Sequence, residues 1–412
     1  MDAPMQQTRV MSPSRWAPYV VLALLLPLSL LQLRLTGHWL ADVIARPAGM
    51  TRTQLRNEAS PDFQMFATAG SLALRGQPGR DYSKNPAQAI NARFGRAPSP
   101  WLYPPPVFLI TPLATIGGFR VGFAIWTLCL LALAVLVLRW AGVAWVPITL
   151  GLASPASMWS LNLGQFAFFA DAMLLASLLT LDRAPLRAGA LIGALIVKPQ
   201  TALISPFILL AGRHYRVFAA AAAGAMALAA ITTLVFGWAI WQGFFAAGMA
   251  TQRAILFAPF PAGGQIWGVS IFWMLRSFSL PVSISLAGQA LGAVSAVVWG
   301  AKLWRDQQFD PLNRAAITIC LTLLITPYAY TYDMSGYTLA LAALVWRARR
   351  LTIADVALLM WPAIGPNICI LLHAEITPVI LLWAALRARE ASAAAATRQP
   401  ADLRQMFRGE AP

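Results

Sequence analysis

Charge is scarce in this chain. Only 11% of its 412 residues are Asp, Glu, Lys or Arg, and the acidic ones number 15. So little polar surface does not coat a soluble globule of this size. With 58% hydrophobic residues, a mean hydropathy of +0.63 and apolar runs that approach twenty residues, the sequence predicts an all-α polytopic membrane protein. Cysteine is scarce too: Cys129, Cys320 and Cys369 all sit inside apolar runs, with no spacing suited to a metal site or a disulfide framework. His38, His214 and His373 are scattered, which argues against zinc. The net charge of +16 comes from short Lys/Arg clusters between apolar runs, the mark of cytoplasmic loops rather than of a nucleic-acid surface.

What is present divides in order along the chain. Arg9 and Arg15 precede an apolar run from Trp16 to Leu33, a predicted first transmembrane helix with a cytoplasmic N-terminus. Residues 36–102 contain no spanning run and are expected to form a large outer-face loop. That loop opens with ASPDFQMFATAGSLALRG at Ala59 to Gly76, whose Phe63, Met65, Phe66, Leu72 and Leu74 approximate one face of an amphipathic helix lying along a membrane surface. A weaker helix is expected around Pro86 to Phe94, and SPWLYPPPVF at Ser99 to Phe108 returns the chain to the membrane with Trp101 and Tyr103 in the aromatic belt.

Further spans are expected at Val107 to Ile116, Val121 to Leu138, Val143 to Leu161, Phe166 to Leu181 and Ala188 to Gly212, the last interrupted by Lys198 and Pro199. Others follow from Val217 to Phe236, around Ile266 to Leu275 and from Val282 to Ala301, and four more between Ala315 and Leu386. The count comes to roughly 10–13 crossings, several of them short. One membrane domain over residues 1–390 and a cytoplasmic tail over 391–412, disordered or a surface helix, complete the organisation.

A charge inside a span costs at least about 2.5 kcal/mol on insertion scales, so those that persist line a cavity or face a partner. Lys198 in IVKPQ is either a snorkelling lysine or a cation holding a phosphate. Asn162 and Gln165 in SLNLGQ are interhelical bonding groups or ligand contacts. Tyr332 and Asp333 close TPYAYTYDM at Thr326 to Met334, as interfacial belt and cap or as cavity lining. Asp171 is a further odd charge, open to pairing with a basic residue. Asp62, following Pro61, is an N-cap or a catalytic base. A carboxylate that takes a proton from a sugar hydroxyl and a cation that neutralises a lipid phosphate are what displacement at an anomeric carbon requires.

Four stretches in this order resemble glycosyltransferase family 87: PDFQMFATAGSLALRG, WLYPPPVFLITPLA, NLGQ followed later by AGALIGALIVKPQ, and TPYAYTYDM. They cover about Asp62 to Met334. The family comprises integral-membrane GT-C enzymes typified by bacterial polyprenol-phosphate-mannose-dependent alpha-1,2-mannosyltransferases. The resemblance implies a GT-C fold in a bacterial inner membrane and an outer-face active site. It implies a polyprenyl-phosphate-linked hexose, mannose above all, as donor, a glycan or glycolipid as acceptor, and inversion. It further implies Asp62 as general base, Lys198 at the donor phosphate, and Tyr332 and Asp333 in the same cavity; no metal or other cofactor is expected, since the first loop has no pair of acids one residue apart. Phe66 stands where a tyrosine is common in the family, and GRDYSK at Gly79 to Lys84 follows its pattern only loosely. The rival is a lipid or solute transporter with Lys198 and Asp333 along its path, which predicts repeated halves; no convincing internal repeat is found.

Overall fold

The computed structural model describes residues 61–79, 101–261, 263–348 and 351–406. The expected first span and the helix expected around Pro86 to Phe94 lie outside them. Among the described residues the protein is helical, with a single antiparallel bridge, Gly268 to Tyr330, in place of any sheet. The helices are α1 (Pro61–Leu74), α2 (Gly118–Trp140), α3 (Trp145–Leu152), α4 (Pro155–Leu163), α5 (Ala167–Thr180), α6 (Pro185–Ala194), α7 (Ser205–Ala211) and α8 (Tyr215–Phe236). They continue as α9 (Ala239–Gly243), α10 (Met249–Phe257), α11 (Ile271–Ser277), α12 (Val282–Arg305), α13 (Pro311–Ile325), α14 (Ser335–Ala348), α15 (Ile353–Leu372) and α16 (Thr377–Met406).

Four of these, α2, α8, α12 and α15, are long and apolar enough to cross a membrane. Their outer faces carry exposed aliphatic side chains such as Leu234 on α8 and Leu291 on α12, as a lipid-facing surface should. Several other expected spans are divided, and proline divides them. Val107 to Ile116 is not a span but two 3-10 turns, Pro105–Leu109 and Thr111–Thr115, because Pro104, Pro105, Pro106 and Pro112 have no N–H to give an α-helix. The run from Val143 to Leu161 splits into α3 and α4 at Pro155, where the Ser154 hydroxyl caps α4 by accepting from the Ser157 N–H. Pro199 pushes Lys198 out of helical backbone, to φ −143° and ψ 70°, so the run from Ala188 to Gly212 becomes α6, two 3-10 turns and α7. The last helix continues through residue 391, where a separate tail was expected, to Met406.

Helix α1 forms where expected but not as a surface helix. Phe63 through Ala69 are all buried, including Gln64 and Thr68 on what should be the polar side. It is wedged against the Thr111–Thr115 turn and α2, with Phe63 edge-on to both Phe119 and Phe123 at 5.0 Å. Close helix contact elsewhere depends on small residues: Gly189 and Gly193 of α6 lie so near α8 that a Cβ on Gly193 would come within 2.5 Å of the Ala221 carbonyl oxygen.

The basic clusters gather at one end of the assembly. Asp182, just beyond α5, lies 3.6 Å from His214 and 3.9 Å from Arg314, and Gln307 donates to the Gly212 carbonyl. Arg347 at the end of α14 pairs with Asp310 before α13, and Arg387 on α16 pairs with Asp355 at the start of α15, each at 2.7 Å. Helices α5, α13 and α14 begin or end at this basic face, and their other ends lead to Gln165, Thr326 and Asp333. At 1.5 Å per residue, 14 residues separate the two ends by about 20 Å.

Gly164 ends α4 in left-handed backbone at φ 69°, and a Cβ there would lie 2.5 Å from the Cβ of Phe63. Gly164→Ala therefore meets both backbone strain and a clash at the residue after Asp62. It is expected to lower stability by about 2 kcal/mol or more, read as a fall in the thermal midpoint of the detergent-solubilised protein.

Candidate active site

The broken elements converge on a cavity of about 810 Å³. Asp62 and Met65 of α1 line it, with Tyr103 from the proline-rich return, Trp159 of α4, Gln165 from the α4–α5 turn, and Pro199 and Gln200 from the break after Lys198. Gln252 of α10, Gln265 and Trp267 of the Gly263–Trp267 turn, and Tyr328, Tyr330 and Tyr332 complete the wall. This is a site of small-molecule size, apolar and aromatic with a few polar groups. Asp62 is the single charged side chain among the described lining residues.

Asp62 is the second residue of α1, inside the helix rather than capping it, and is a half-buried residue of the cavity wall. Its Oδ2 accepts a 2.8 Å hydrogen bond from Gln165 Nε2, and Gln165 Oε1 in turn accepts from the Tyr103 hydroxyl. The orientation of the amide follows from this chain. Burial holds the Tyr103 phenol protonated, and the Asp62 and Asp333 carboxylates reinforce it. The ionised Asp62 carboxylate can only accept, so the Gln165 N–H₂ faces Asp62 and its oxygen is left to accept from the protonated Tyr103 hydroxyl. Burial pushes the Asp62 carboxyl up to about 6, opposed by the Gln165 hydrogen bond and then by the charge of Lys198. An acid in this range is ionised at neutral pH and still basic enough to take a proton.

Lys198 stands behind this wall. Its side chain is 1% exposed, its ammonium is 2.5 Å from Asp333 Oδ1, and the rings of Tyr332 and Phe166 cover it at 5.0 and 5.6 Å. The other Asp333 oxygen accepts from the Tyr330 N–H at 3.0 Å, closing the 3-10 turn Thr331–Met334. Neither Lys198 nor Asp333 lines the main cavity, although their neighbours Pro199, Gln200, Tyr330 and Tyr332 do. Lys198, which the resemblance puts at the donor phosphate, and Asp333, which it puts in the same cavity, make a pair with each other behind the wall. Ion pairing accounts for it: a buried ammonium without water is stable only beside a carboxylate.

Of the other residues singled out in the sequence, Gln165 and Tyr332 line the cavity, whereas Asn162 is buried within α4 away from it. Asp171 accepts from the Gly336 N–H at 2.8 Å, anchoring the start of α14. The sequence reading placed Tyr103 in the aromatic belt and passed over Trp159, Gln252, Gln265 and Trp267. The signal available was an amide or an indole beside a break in an apolar run. Gln252 donates to the Leu102 carbonyl at 2.9 Å and Gln265 to that of Ile255 at 3.0 Å, so both amides also tie wall segments together.

The pattern that defines glycosyltransferase family 87 matches residues 101–327, more than half of the 412-residue chain. No curated protein and no solved structure matches it.

Because the Gln165 hydrogen bond lowers the Asp62 pKa, Gln165→Leu removes a stabilising donor from the carboxylate. The Asp62 titration is expected to move above 6. Infrared difference spectra of the carboxylate bands against pH, with Asp62→Asn as the subtraction control, measure the shift.

Proposed function

The chain belongs to glycosyltransferase family 87 and is a membrane glycosyltransferase; from that footing we propose that it transfers a hexose, mannose first, from a polyprenyl phosphate to a hydroxyl of a glycan or glycolipid. The observation that carries the reading is Asp62, the single charged group among the described residues that line a substrate-sized cavity, held by the Gln165 amide. In the proposed step Asp62 accepts the proton of the acceptor hydroxyl as its oxygen bonds to the anomeric carbon. The bond from that carbon to the phosphate oxygen breaks, and polyprenyl phosphate leaves with the electron pair. One displacement inverts the anomeric centre. Tyrosine hydroxyls and glutamine amides of the wall offer hydrogen bonds to the departing phosphate.

Orientation follows the same reading. The face that collects Arg314, Arg347 and Arg387 takes the cytoplasmic side under the positive-inside rule, with the N-terminus on that side. Asp62 then opens toward the outer leaflet of a bacterial inner membrane, where lipid-linked sugars are met.

Transfer of radiolabelled mannose from polyprenyl-phosphate mannose by the reconstituted protein tests this directly. Asp62→Asn should lower kcat by about 10²–10⁴-fold; a folded, fully active variant overturns the assignment of the base. In the wild type the base works ionised. kcat/KM is therefore expected to be level above pH 6 and to fall about tenfold per pH unit below it, as protonation removes the acceptor lone pair.

A further inference from the structure

A lysine buried in a membrane enzyme that uses a phosphate-linked donor invites the assignment of phosphate ligand, and the geometry points elsewhere. The Lys198 ammonium already has a carboxylate at 2.5 Å, is 1% exposed, and is separated from the cavity by the ring of Tyr332. The residues on either side of the pair form part of the cavity wall, Pro199 and Gln200 on one strip and Tyr330 and Tyr332 on the other. The second strip is held in shape by Asp333. Its Oδ2 accepts from the Tyr330 N–H at 3.0 Å while its own N–H donates to the Tyr330 carbonyl at 2.8 Å. The nearby carboxylate of Asp171 is engaged by the Gly336 backbone, which leaves Asp333 as the partner the ammonium meets.

We propose that Lys198 is a positioning residue: locked to Asp333, it clamps the Thr331–Met334 turn to the broken helix and so sets Tyr330 and Tyr332 at the donor phosphate, without touching the phosphate itself. The mention of the phosphate rests on the function proposed above; the clamp does not. Tyr330 and Tyr332, stacked with centroids 5.7 Å apart, are the groups through which it acts. Two features of the sequence serve this arrangement. Pro199 forces the break that turns Lys198 inward, and Asp333 lies one residue after the tyrosine that the ammonium underlies.

The test is a cycle on the full-length protein in detergent, with Lys198→Met, Asp333→Asn, the double variant, Tyr332→Phe, and Lys198→Met in the Tyr332→Phe background. Thermal midpoint and near-ultraviolet circular dichroism are read without substrate. kcat and donor KM are read with polyprenyl-phosphate mannose below every midpoint. Lys198→Met alone strands the Asp333 carboxylate. It is expected to lower the midpoint, change the tyrosine dichroism and cut kcat by about tenfold or more, with donor KM within about threefold of wild type. Removing both charges should restore midpoint and dichroism and recover most of kcat. In the Tyr332→Phe background Lys198→Met should cost little further kcat, a non-additivity that a purely structural lysine would not show.

A Lys198→Met protein with unchanged midpoint and dichroism overturns the clamp whether or not the wild type transfers sugar. A donor KM raised about tenfold or more in the double variant also overturns it, and makes Lys198 a phosphate ligand. Should Lys198→Met fail to fold, a double variant that folds and transfers with near-normal donor KM carries the proposal. Absence of transfer by the wild type sinks the proposed function alone, and the substrate-free midpoint and dichroism cycle then decides the clamp.

Discussion

An ammonium buried inside a helical membrane assembly has to be neutralised where it sits, because taking an unpaired charge out of water is costly. Lys198 and Asp333 meet that constraint with a contact of 2.5 Å at 1% and 6% exposure. The cost of taking both charges out of water is offset by their attraction and by the backbone bond to Asp333, but only while both are present; losing one partner of such a pair costs about 3–5 kcal/mol. The pair thereby ties two segments distant in sequence, the break after α6 and the turn before α14. Residues beside the pair line the cavity in both segments, Pro199 and Gln200 in one and Tyr330 and Tyr332 in the other. In the proposed clamp, the wall of the cavity takes its shape from a charge pair that stands behind it.

The backbone follows the same logic. Within the hydrocarbon region an interrupted helix is tolerated only where its freed N–H and C=O groups find partners in protein or line a cavity. Here the interruptions at Pro104 to Pro106, at Pro199 and at Pro327 all border the site: Pro104 and Pro199 line it, and Tyr328 follows Pro327 on its wall. The Pro327 carbonyl accepts from the Ser270 hydroxyl at 3.3 Å and that of Ala329 from the Val269 N–H at 2.9 Å, so the unwound stretch is satisfied by the segment beside it. Proline thus does two things at once. It shortens the apolar runs and turns their polar groups toward one chamber.

Much of this was legible in the sequence, and the limits fall where a single chain conceals its partners. The long apolar runs became α2, α8, α12 and α15, and Asp62, Gln165 and Tyr332, each singled out in the sequence, lie on the cavity. The depth of α1 was not legible. Gln64 and Thr68 look like a solvent face, yet both are buried, on a helix whose Phe66 and Phe63 meet Trp101 and Phe123 edge-on. Nor could Tyr103 be separated from a belt tyrosine, because its function lies in a bond to Gln165 far along the chain. Lys198 reads in the sequence as a snorkelling lysine or a cation holding a phosphate, and the structure gives it a carboxylate partner in Asp333. The partner was its own chain, and periodicity carries no information about which of two distant polar motifs will touch.

Asp62 shows how these layers act together. Burial alone would make it a stronger base and, taken further, would leave it protonated and useless at neutral pH. The Gln165 amide, oriented by Tyr103, pulls in the opposite direction through a direct bond, and Lys198 adds its charge from behind the wall. The balance rests near 6, which suits the proposed base: the carboxylate is mostly ionised at neutral pH and can still take up a hydroxyl proton as that proton grows acidic in the proposed transition state. The lysine need not contact a substrate to matter to its chemistry. Held by Asp333, it biases the ionisation of an acid across the cavity while its partner shapes the turn that carries the tyrosines.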